Sequence, residues 1–89
     1  MKQAMKDLLQ EFIERDFSAY EMQMVIGAIT DVEQDYKIIA SYRKRDDVEM
    51  VLHYKYELQM DMYDLREQLD NLGLTFKAED LVDDGGVEV

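Results

Sequence analysis

The only histidine of this 89-residue chain, His53, stands four residues after Glu49 and four before Glu57. On a helix that spacing stacks an imidazole between two carboxylates, a donor set able to bind zinc or iron. One row supplies at most three ligands, whereas carboxylate-bridged di-iron bundles need Glu-x-x-His from two helices. We therefore expect a solvated charge row, with no bound metal and no cofactor. Nucleophilic catalysis has less to work with. There is no cysteine, and neither Ser18 nor Ser41 has a histidine and an acid beside it in sequence. Gly85 and Gly86 lie among Asp83, Asp84 and Glu88, which would repel a phosphate instead of cradling it. The chain is expected not to be an enzyme.

Two further pairs of acids supply the alternative. Glu11 with Glu14 forms a Glu-x-x-Glu pair, and Glu67 with Asp70 a Glu-x-x-Asp pair. These spacings resemble those with which the all-helical, MazG-like nucleotide pyrophosphohydrolases hold magnesium. That resemblance implies a small all-α metal-dependent hydrolase. The gap between the pairs is longer than in that family, and the doubled acid of its first motif is missing.

Acids outnumber bases by 21 to 10, a formal net charge of −11. Direct binding to nucleic-acid phosphate is thereby disfavoured. Sixteen acids and nine bases fall in residues 1–72, and five and one in residues 73–89, so over a third of the excess lies near the C-terminus. Glu57, Asp61 and Asp64 form a row on one predicted helix, and Asp31 with Asp35 a row on another. Such rows could imitate phosphate spacing, which makes a DNA-mimic inhibitor of a nucleic-acid-binding protein a second alternative. Arg43-Lys44-Arg45 interrupts that surface.

The elements that position these residues are helices. Proline is absent, and three of the four glycines come after residue 72. Met5, Leu8, Leu9, Phe12 and Ile13 predict a first helix over residues 2–15 with these five on one face. Ser18 and Glu21 have capping-box spacing, and Phe17 with Met22 the spacing of a hydrophobic staple, so a second helix begins at Ala19. Met22, Val25, Ile29, Val32, Tyr36 and Ile39 carry it to at least Ala40 along a heptad seam. Another seam, Val48, Val51, Leu58, Met62, Leu65, Leu69 and Leu72, with Lys55 at its polar position, is out of register with the first. Either the chain turns near Arg45, with Asp46 and Glu49 capping a third helix, or one long helix continues through residues 41–47 and rotates its buried face; the capping residues favour the turn. Gly73 suits the left-handed position after that helix, and Leu69 and Leu74 the paired positions of a Schellman motif. Residues 75–82 form either a short helical turn or an extended segment docked through Phe76, Leu81 and Val82.

The expected fold is all-α. It is an antiparallel hairpin of two long helices plus a shorter N-terminal helix, completed by oligomerisation, with a single domain over residues 1–82 and a flexible acidic tail over 83–89. A core this small is marginal alone, and no disulfide can support it. No apolar run is long enough to span a membrane, the start does not read as a signal peptide, and the lack of cysteine fits a reducing cytoplasm. The third helix carries a second apolar stripe, His53, Tyr56, Met60 and Tyr63, about 150° round from its seam. Either the first helix covers this stripe or a partner does. We expect partner binding through Tyr56, Met60 and Tyr63 with Glu57, Asp61 and Asp64, in an acidic, non-enzymatic adaptor or inhibitor that also forms a homodimer. Size, acidity and the lack of a catalytic constellation suit a phage or mobile-element accessory protein.

Overall fold

Ser18 and Glu21 satisfy each other's free backbone N–H groups: Glu21 N–H donates to the Ser18 hydroxyl at 3.1 Å, and Ser18 N–H to Glu21 Oε1 at 2.9 Å. This capping box divides the first two helices where its spacing predicts. The computed structural model describes residues 2–88 and places four helices in them: α1 (Gln3–Glu14), α2 (Ala19–Lys44), α3 (Val48–Asn71) and the single turn α4 (Ala78–Leu81). No strand occurs among the described residues.

The three longer helices end alike. After α1, Asp16 N–H bonds to Ile13 C=O and Phe17 N–H to Phe12 C=O; after α2, Asp46 bonds to Arg43 and Asp47 to Tyr42; after α3, Gly73 bonds to Asp70 and Leu74 to Leu69. Each is a Schellman motif with its turn residue in the left-handed region, Asp16 and Asp46 at φ 55° and Gly73 at φ 66°. The same geometry corrects the expected cap of α3. Asp46 is used up in ending α2, and Asp47 starts α3 by accepting from Met50 N–H at 3.2 Å.

The three-residue connection folds α2 and α3 back on each other as an antiparallel pair. Tyr42 stacks on Tyr54 near the tip, with ring centroids 5.9 Å apart. Val25, Ile29, Val32 and Ile39 of α2 meet Leu58, Met62, Leu65 and Leu69 of α3 in the core, completed by Leu8 and Phe12 of α1 and by Leu74, Ala78, Leu81 and Val82. Residues 75–82 thus take the helical-turn alternative. α1 and the C-terminal segment cover one side of the hairpin. Lys2 Nζ donates to Val82 C=O at 2.6 Å, and the Arg15 guanidinium donates to the carbonyls of Leu72 and Gly73, binding the end of α1 to the negative end of α3. Beyond α4, Asp83 N–H donates to Glu33 Oε2 at 2.8 Å and Val87 packs against the core.

Two apolar positions depart from expectation. Ile13 is 73% exposed because it lies about 100° round from Phe12, at the edge of the α1 stripe. Val48 is exposed although the seam was expected to begin there, because it lies about 60° round from Val51 at a tip that no other element covers.

Candidate functional site

α3 is apolar on two sides, and only one of them is covered. Tyr56 is 61% exposed, Met60 45% and Tyr63 57%. At 1.5 Å per residue α1 spans about 18 Å against about 36 Å for α3. Moreover, the start of α1 faces α2, where Lys2 and Met5 share a groove with Ile26, Ile29 and Thr30. The stripe is therefore not core. It also runs further than the sequence pattern marked: Leu52, one turn before Tyr56, is 61% exposed and points the same way. Its four-residue spacing from Tyr56 was the available signal.

Beside the stripe lies the acidic row. Glu57 and Asp61 are half-buried and Asp64 is exposed, on the edge of α3 that turns toward α2. The row expected on α2 does not stand apart from it. Pairing of the two helices brings Asp31 and Asp35 against Glu57 and Asp61, so that the two rows form one cluster. Asp64 shares a shallow groove with Met24, Ala28 and Asp31.

Asp35 corrects the picture of a solvated charge row. It is only 6% exposed, the one buried charged residue among those described, and its Oδ2 has no hydrogen-bond partner. A hint of this was in the spacing: Asp35 falls three residues after Val32 and four before Ile39, both seam positions. Burial, then hydrogen bonding of its protonated form toward Asp61, then the charges of Asp61, Glu57 and Asp31 push its carboxyl up to about 7. Desolvation and the neighbouring negative charges thus favour the protonated form of Asp35 below about pH 7.

The other candidate chemistries do not assemble. His53 Nε2 reaches Glu57 Oε1 at 4.0 Å, a loose exposed contact that leaves Glu49 out. Glu11 is paired with Arg15 at 3.0 Å. Among the described residues no three of His, Asp or Glu come together in a way that could hold a metal ion, and this includes Glu11, Glu14, Glu67 and Asp70. None of the described helices is long and apolar enough to cross a membrane.

Fold and site together define a small helical-hairpin protein with an uncovered aromatic and methionine stripe beside a carboxylate cluster. No protein-family model, curated protein or solved structure matches the chain.

Proposed function

We propose that this chain is a non-enzymatic protein-interaction module, an adaptor or inhibitor that docks a partner protein on α3. The observation that carries this reading is the exposed row Leu52, Tyr56, Met60 and Tyr63 along one face of a helix whose opposite face is core. Tyrosine and methionine bury area while tolerating partial hydration, which is why interfaces favour them. The same row offers a seam to a second copy, in line with the small core.

Replacing Tyr56 and Tyr63 together by Gln tests the reading. The double variant should keep the helical signal and melting temperature of the parent, because neither ring is in the core. Binding to the partner captured by the parent from its native host extract should weaken by about 2 kcal/mol or more. Retention of that partner at full strength would remove the stripe from the interface.

A further inference from the structure

The carboxylate cluster calls for a counter-charge that the chain does not supply. The ion pairs among the described residues are Arg15–Glu11, Arg66–Glu79 and the loose His53–Glu57 contact. None reaches Asp31, Asp35, Asp61 or Asp64. Asp35, 6% exposed with its Oδ2 lacking a partner, sits beside three more acids and weakens the helix pair that holds it unless a counter-charge reaches the cluster.

We propose that the open side of the α2–α3 hairpin receives a cationic side chain, an arginine or lysine presented by an amphipathic helix of a partner protein, with Asp61, Glu57 and Asp31 as its counter-ions and Asp35 beneath them. This names the partner chemistry for the docking face of the preceding section and rests on that reading. Glu57 and Asp61 are half-buried and Asp31 is exposed, so the cluster can be approached from solvent. A small metal ion fits poorly, because no three of these groups converge as metal ligands. A guanidinium is broader, and its planar fork bridges two carboxylates. The flanks fit an amphipathic helix: Met24 is exposed on the α2 side, and Tyr56, Met60 and Tyr63 on the α3 side. A second copy is the poorer occupant, since each carries a net charge of −11 and would bring its own acidic row. The charged groups acting on Asp35 are Asp31 from its own helix and Glu57 and Asp61 from α3. A bound cation offsets their repulsion, lets Asp35 ionise and so releases a proton.

The probe is a synthetic helical peptide with leucines on one face and two arginines one turn apart at its edge, compared with a twin carrying neutral citrulline at those two positions. The arginine peptide should bind at least about tenfold more tightly, as expected for charge-assisted pairing. Its affinity should rise between about pH 6 and 8, by up to about tenfold per unit for one linked proton. Calorimetry in buffers of different ionisation heat should show proton release near pH 6.5. Asp61→Asn should weaken binding and Asp35→Asn should abolish the proton release, while Asp7→Asn on the exposed part of α1 changes neither. Equal binding of the two peptides, no binding of either, or an affinity independent of pH in the parent would overturn the proposal. Failure here with a partner still lost on Tyr56→Gln/Tyr63→Gln would leave the docking face standing without its cation site. Concentration-dependent dimerisation that blocks the peptide and is lost in Asp61→Asn would instead assign the cluster to a second copy.

Discussion

At the scale of single residues, Asp35 sets how stability responds to pH. Its carboxyl titrates near 7 in the folded chain, against an ordinary value of 3.8. Between these values the folded state binds a proton that the unfolded state has already lost, so stability falls as pH rises and the full cost is present above about pH 7. The melting temperature should therefore drop by several degrees between about pH 5 and pH 8. Asp35→Asn, which keeps the shape and removes the titration, should flatten that slope and melt above the parent at pH 8. A parent whose melting temperature is level across this range would show that Asp35 is not buried beside Asp61. Glu21 and Glu79 act in the opposite sense. Backbone and side-chain hydrogen bonds from Ser18 hold Glu21 below its usual value, and the Arg66 hydrogen bond does the same for Glu79. Their contributions are present at neutral pH and are lost only as pH falls through the carboxylate range.

At the scale of elements, the helix ends are where local sequence acts most directly. Ser18→Ala removes the acceptor for Glu21 N–H and should cost about 1 kcal/mol, read as a shift of the urea midpoint. The three Schellman turns make a reciprocal prediction. Asp46 holds φ 55° at a cost that glycine avoids, so Asp46→Gly should be neutral or stabilising by up to about 1 kcal/mol. Gly73→Ala should destabilise by about 1 kcal/mol. The cost is the positive φ of 66° that alanine would have to hold, since the added Cβ would meet Arg15 Nη2 only at 3.4 Å, an ordinary contact. Equal effects of the two changes would mean that the left-handed turn is not what ends these helices.

At the scale of the whole molecule, about 46 × 22 × 19 Å, two forces oppose each other on one surface. The uncovered stripe favours self-association, and a net charge of −11 on every copy resists it. Sedimentation equilibrium at micromolar concentration should therefore show more dimer as sodium chloride is raised from about 0.02 M to 0.5 M, where screening shortens to a few ångströms. Binding of a cationic helix should weaken over the same range. A 10.6 kDa monomer at every salt concentration would remove self-association from the account.

What the sequence determined by itself is what depends on residues a few positions apart. The capping box at Ser18 and Glu21 and the Schellman stop at Gly73 are closed by bonds within one or two turns, and the seams of Val25 to Ile39 and Leu58 to Leu69 are each set by the periodicity of a single helix. Their spacing in the chain is their spacing in the structure. The apolar stripe of Tyr56, Met60 and Tyr63 was legible in the same way, but its exposure was not. Whether it faces solvent or α1 depends on which side of the hairpin the N-terminal helix occupies, and that is fixed by Leu8, Phe12 and Arg15 meeting residues near the opposite end of the chain. Asp35 shows the limit most clearly. Its place between the seam positions Val32 and Ile39 hints at burial, but the charges that raise its affinity for a proton come chiefly from Glu57 and Asp61 of α3, more than twenty residues away. Hydrogen bonding within a helix is local, whereas desolvation and charge repulsion depend on what another helix brings alongside, so the tertiary structure alone decided which carboxylate would be the unusual one.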